Sequence, residues 1–335
     1  MSERSLRALA SGFLLDFGVS LSYAYLTLEI YGRYGTQAYF MSLSLTAIAN
    51  LIATLTLSFS NDLFNYRRVF LTLFISLPSL LLSYFALLTS DLLLLSFIMG
   101  LIMGYEPLAV AQLAEEMGHG EASGVFYTIS RFGITLGIFV GGFLFELFGI
   151  RRLLILSSLL ILSSLPLIPS FPAPSSNKCT NNMKYGAREL CFLISIIFLE
   201  SMISTSYSLL EVKLYDLLNG SASLIGSLYS VSTLIDATLS PVLGKLVDEV
   251  GGFKSFTLAV LIQIAHLLSC TSFKDPILLG TLVIFPVTPL YFSARNKLAA
   301  DLFGENSLSS LSLPASMSSL SDSLFYGILS ISQMI

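Results

Sequence analysis

This 335-residue chain has no tryptophan, three cysteines and two histidines, and only 11% of its residues are charged. A soluble domain carries about 25% charged residues to keep its surface wet, so a water-soluble globule is excluded. The formal net charge of -4 is spread without a basic run or tail, which sets nucleic-acid partners aside. Cys179, Cys191 and Cys270 form neither a CxxC pair nor an even disulfide framework and read as small apolar residues. Neither a metal nor a cofactor is expected. His119 lies in a loop, there is no GxSxG or HExxH run, and Tyr215-Asp216 lacks a GxGD partner. No nucleophile, base and oxyanion donor then share one depth, so an enzyme is not expected.

What the chain has in abundance is apolar sequence: 54% of residues, with mean hydropathy +0.81. A helix needs about 20 apolar residues to cross a hydrocarbon core of roughly 30 Å. Stretches of that size lie at roughly 8–30, 38–60, 68–90, 92–114, 122–146, 150–169, 188–212, 221–246, 254–273, 276–296 and 309–334. The alternation of barrel strands is missing, so the expected fold class is an all-α membrane protein of about eleven spanning helices. Arg4 and Arg7 before an apolar run mimic a signal peptide, yet the run passes Asp16 and continues to Ile30, which suits a span better. Pro169, Pro172, Pro174 and the Ser, Asn and Lys residues through Lys184 form the one real linker. The expected division is a six-helix bundle over 1–170, a cytoplasmic linker over 171–187 and a five-helix bundle over 188–335.

A cytoplasmic N-terminus leaves Arg33, Arg151, Arg152, Lys213 and Lys274 outside. The other Lys and Arg residues, Arg295 among them, then fall on or nearest the cytoplasmic side, as the positive-inside rule favours. Asn219-Gly220-Ser221 satisfies the glycosylation pattern in an outer loop, and Glu115, Glu116 and Glu121 read as a solvated loop face.

At an offset of about 186 positions Asn50 meets Asp236, Asp62 meets Asp248, and Ala114, Glu115 and Gly118 meet Ala300, Asp301 and Gly304. At about 184, Asp16, Ser20, Tyr23 and Tyr31 meet Glu200, Ser204, Tyr207 and Tyr215. The halves therefore read as parallel repeats, six helices plus five. Ile335 corresponds to Gly149, just before the sixth helix, so a twelfth helix is missing: by truncation, by frameshift, or because eleven spans suffice.

Asp62-Leu63-Phe64-Asn65-Tyr66-Arg67-Arg68 resembles the loop motif of the major facilitator superfamily, with Ser58 in place of its opening Gly. Gly244-Lys245-Leu246-Val247-Asp248-Glu249-Val250-Gly251, trailed by Lys254, fits the same motif at the repeat offset. Gly124, Gly133, Gly137, Ile138, Gly141 and Gly142 are spaced like the family's antiporter and exporter motif, Ile138 standing where that motif has Pro. The helix-four Arg of drug antiporters is absent, Ser96 or Gly100 occupying its place. The resemblance implies a two-bundle fold whose first, fourth, seventh and tenth helices line a central cavity. It implies a secondary active transporter that moves a small solute by alternating access in the cell membrane, acting as a monomer in lipid. It also makes Asp62, Arg67, Arg68, Gly244, Asp248 and Gly251 gating residues.

Asp16, Glu106 and Arg131 each lie about ten residues inside a span, roughly 13 to 15 Å deep. Glu200 and Asp236 sit at similar depth, and Asn50 is the repeat counterpart of Asp236. A charge facing lipid there costs roughly 2.5 to 3.5 kcal/mol, so these residues are expected around a hydrated interior. Tyr23 and Tyr207 join them, because Asp16, Ser20, Tyr23 and Thr27, like Glu200, Ser204, Tyr207 and Glu211, fall on one helical face. Asp16, Glu106 and Asp236 are the candidate proton carriers; a cationic solute or a fixed ion pair to Arg131 are the other readings. Efflux is the favoured direction. A solute sensor, or an inactive truncated carrier, is the alternative function. His266 reads as a hydrogen-bonded structural residue, and Pro286 with Pro289 as a bend in the tenth helix.

Overall fold

A computed structural model describes residues 3–59, 72–88, 91–105, 113, 119–168, 186–218, 221–273, 275–285, 288–303 and 308–332. The described residues are helical almost throughout, because lipid offers no partner to a backbone N–H or C=O and a helix satisfies both internally. The helices are α1 (Glu3–Phe59), α2 (Leu77–Leu88), α3 (Leu92–Ile102), α4 (His119–Ser164), α5 (Ala187–Leu217), α6 (Ala222–Val250), α7 (Gly252–Ser272), α8 (Pro276–Ile284), α9 (Thr288–Phe303) and α10 (Leu308–Ser332). Six stretches among the described residues are long and apolar enough to cross a membrane. The linker and the loop carrying Asp62, Arg67 and Arg68 lie outside the described residues.

At about 1.5 Å per residue, a straight α1 would be nearly three times as long as a hydrocarbon core is thick. It reverses instead at Gly35, whose φ of 80° and ψ of -173° only glycine adopts without strain. The reversal brings the rings of Tyr31 and Tyr39 to 5.9 Å. Gly149, with φ 74° and ψ 170°, turns α4 back in the same way. Hydropathy placed gaps at these positions. The polar residues there, Arg33 and Tyr34 among them, stay helical, and one glycine makes each turn.

The glycine stripe on α4 sets the closest packing. A Cβ on Gly133 would lie 2.5 Å from the Phe13 carbonyl oxygen, and one on Gly137 2.7 Å from that of Phe17. The first arms of α1 (residues 3–34) and α4 (119–148) thus run parallel with their backbones touching, which only small residues allow. A similar sequence separation recurs between α5 and α10, where Ser201 meets Ser321 at 2.7 Å and Ser208 meets Tyr326 at 2.8 Å. The chain before the linker meets the chain after it along two seams. One joins α4 to α6, with Gly124 against Ser240 and Gly244 and with Thr135 on Thr233 at 2.7 Å. The other joins the second arm of α1 (36–59) to α10, where Ser44 donates to the Ser323 carbonyl at 2.9 Å.

The outer faces carry Leu80, Phe198, Val242, Phe253, Leu261 and Ile328, all more than half exposed, while many serines and threonines and several charged groups are buried among the apolar residues of the interior. That inversion suits a surround of lipid.

Helices α8 and α9 replace the single bent helix expected over 276–296. The Leu282 carbonyl would be served by residue 286, a proline without an N–H. Instead it faces His266 Nε2 at 3.0 Å and accepts from the Phe285 amide at 3.3 Å, while Ser232 donates to the Val283 carbonyl at 2.5 Å. Ser232 of α6 and His266 of α7 thus both meet carbonyls at the end of α8, the structural role expected of His266.

Gly133→Ala forces a methyl group into a backbone contact and should destabilise the protein by about 1 to 3 kcal/mol. Gly280→Ala, where an added Cβ meets nothing within 4 Å, should be neutral or gain up to about 1 kcal/mol from helix propensity. Thermal unfolding of both variants, followed by circular dichroism in the same detergent, makes the comparison.

Candidate functional site

The interior is polar in three layers, taken from the end holding Glu3 to the end holding Gly35. In the first layer the motif between α6 and α7 crosses the seam. Asp248 Oδ2 accepts from the Glu121 amide at 2.8 Å in the first turn of α4, where the helix dipole favours an anion. Lys245 Nζ stands 3.8 Å from the Glu121 carboxylate. Glu121 is therefore not a solvated loop residue: its backbone and side chain both meet α6. Gly244 packs under Gly124, and Gly251 turns the chain into α7 with φ 95°. Asn296 of α9 reaches across to Ser123 at 3.0 Å, both fully enclosed.

The middle layer holds two ionic groups. The pairing of α4 with α6 puts Arg131 level with Asp236 and within electrostatic reach of both Asp236 and Tyr207. Thr288, the first residue of α9, donates to Asp236 Oδ2 at 2.6 Å. Asp236 thus sits at the N-terminus of a broken helix inside the bundle, which adds about half a positive charge to that of Arg131.

The second group was not expected. Arg295 is buried within α9, and its Nη1 meets Glu200 Oε1 at 3.2 Å. Tyr291 at 2.9 Å and Ser318 at 2.6 Å donate to the same oxygen, and the Phe292 ring covers the guanidinium at 4.8 Å. Asp322 of α10 accepts from Ser204 and lies near enough to repel Glu200. In the sequence Arg295 counts only toward the positive charge on or nearest the cytoplasmic side. Its spacing of four from Tyr291 and seven from Thr288, both turned inward, was the signal that could have placed it.

The third layer surrounds a cavity of about 130 Å³ near the Gly35 end, lined by residues of α1, α4, α5 and α6, including Tyr23 and Glu211. Tyr39 donates to Glu211 Oε2 at 2.6 Å, and Tyr31 donates to Asp216 at 3.2 Å just beyond.

Of the residues singled out from sequence, Arg131, Tyr207 and Asp236 come together. Glu200 pairs with Arg295 in a separate group, and Tyr23 lines the cavity. Asp16 is half-buried on α1. Asn50 keeps its side-chain oxygen buried with no hydrogen bond among the described residues. Glu106 lies outside the described residues. Sequence reasoning passed over Arg295, Asp322, Tyr39 and Tyr229.

A protein-family model described as Major Facilitator Superfamily matches residues 8–325. No curated protein matches the chain. Among solved structures, the human organic anion transporter MFSD10 (TETRAN) superposes with a TM-score of 0.75 at 16% identity, covering 98% of this chain and 93% of that one. At that identity the likeness is one of fold.

Breaking a buried ion pair strands its partner, at a cost of about 3 to 5 kcal/mol. Arg295→Met should therefore unfold far more readily than the parent, whereas Arg295→Met combined with Glu200→Gln should recover most of the loss. A double-mutant cycle on unfolding midpoints measures that coupling, and additive losses would remove the pair from the account of stability.

Proposed function

The chain belongs to the major facilitator superfamily, and on that premise we propose that this multi-pass membrane transporter is a secondary active carrier moving a small solute by alternating access. The observation that carries this reading is the contact across the α4–α6 seam. An arginine from one half faces Asp236 and the start of a broken helix from the other half, enclosed where lipid could not tolerate any of them singly. A solute or proton that binds Asp236 changes the attraction holding the halves together, which is the differential interaction a conformational cycle requires.

Asp16, Glu200, Glu211, Asp236 and Asp322 lie buried or half-buried among the described residues, against Arg131, Lys213, Arg295 and Lys297. That balance favours a cationic or neutral solute over an organic anion such as MFSD10 carries. Asp236, Asp16 and Glu106 are the proposed proton carriers, with efflux from the cell as the direction and eleven spans with a cytoplasmic N-terminus as the topology. Asp248 with Gly244 and Gly251, and Asp62 with Arg67 and Arg68 at the repeat position, form the proposed gate. The Asp248 carboxylate on the first turn of α4 is the kind of contact that must break when that end opens.

Counterflow into vesicles containing the purified protein, run against a panel of labelled amines, polyols and carboxylates, tests the carrier reading. Movement of at least one solute above protein-free vesicles is expected; binding without movement of any would make the protein a sensor. Asp236→Asn should abolish the pH dependence of transport, and unchanged rates at every pH in this variant and in Asp16→Asn would remove both from coupling. Asp248→Asn keeps an acceptor but loses its charge, which weakens a bond of about 1.5 to 3 kcal/mol to roughly half, and should increase labelling, from the Glu3 side, of a cysteine placed at Ser123.

A further inference from the structure

Resting on the carrier reading, the geometry points to a binding site for a small organic cation between Glu211 and a tyrosine wall at the Gly35 end of the interior. The cavity there is lined by Tyr23, Tyr25, Thr27, Leu43, Glu211 and Tyr229, so both halves of the chain build it. Its volume of about 130 Å³ is close to that of an engineered protein cavity of about 150 Å³ that takes up benzene. The occupant is therefore the size of one six-membered ring with a short substituent.

Charge and chemistry select its class. Glu211 is the one charged residue lining the cavity, and no Lys or Arg joins it there. Tyr39 holds one of its carboxylate oxygens at 2.6 Å, and no ion pair neutralises Glu211 among the described residues. A half-buried carboxylate without a counter-ion is costly, and a cationic ligand supplies what the protein leaves out. Tyrosine rings line the same cavity, and a ring face attracts a cation by about 0.5 to 2 kcal/mol. The Tyr229 hydroxyl is buried with no hydrogen-bond partner among the described residues and stands ready for an ammonium N–H. An anion of the same size would meet Glu211 with nothing to offset the repulsion. A polyol would find mostly rings and aliphatic carbon.

Benzylammonium, benzyl alcohol and benzoate share one ring and differ in charge. Isothermal titration of each into the full chain in lipid nanodiscs should show benzylammonium binding about tenfold or more tighter than benzyl alcohol, and benzoate giving no binding heat. Glu211→Gln, which can keep the Tyr39 hydrogen bond, should bring benzylammonium down to the level of benzyl alcohol. Equal binding of the amine and the alcohol, tighter binding of benzoate, no binding of any probe, or an undiminished amine preference in Glu211→Gln would each overturn the site. Should that variant fail to fold, the charge series on the parent protein decides alone. The vesicle panel separates the two readings. Transport of other solutes without benzylammonium binding sinks the cation site and keeps the carrier, whereas benzylammonium binding with no solute moved keeps the site and sinks the carrier.

Discussion

Hydrocarbon offers neither water nor counter-ions, so every polar group within it must find its partner in protein. Arg295 answers this with a carboxylate, two hydroxyl neighbours and a ring face around one guanidinium. Between α8 and α9, side chains of neighbouring helices meet the Leu282 and Val283 carbonyls. Even the serines and threonines of the spans mostly turn back to a carbonyl one turn earlier, as Ser79 and Ser158 do. Among the described residues the buried oxygens left without a hydrogen-bond partner are few, those of Ser22, Asn50, Tyr229, Gln263 and Ser293, and they stand out for that reason.

The α4–α6 seam combines two kinds of contact. Glycines bring backbones together across it as they do inside a half: a Cβ on Gly124 would lie 2.6 Å from the Ser240 carbonyl oxygen, much as one on Gly133 would lie 2.5 Å from that of Phe13. Polar groups join the same two helices, a threonine pair at 2.7 Å and an aspartate on a helix start at 2.8 Å.

Much of this was legible in the sequence. Length and hydropathy gave the all-helical membrane class, and the loop motif singled out Asp248, which meets the Glu121 amide. Depth counting brought Arg131 and Asp236 to one level. Arg295 entered only through the charge balance, because its spacing from Tyr291 and Thr288 marks an inner face only once those residues are known to turn inward. The cavity was illegible for a different reason. Tyr23 and Glu211 each sat on a recognised polar stripe, but which stripes face each other depends on how two half-bundles dock, and no spacing within one helix records that.

Helix α9 begins at Thr288 on Asp236 and carries Asn296, bonded to Ser123, eight residues on, a rise of about 12 Å. Arg295, anchored to Glu200, lies between those two contacts, so a single helix carries polar bonds in both the middle layer and the first, and a substitution that shifts α9 reaches both layers at once.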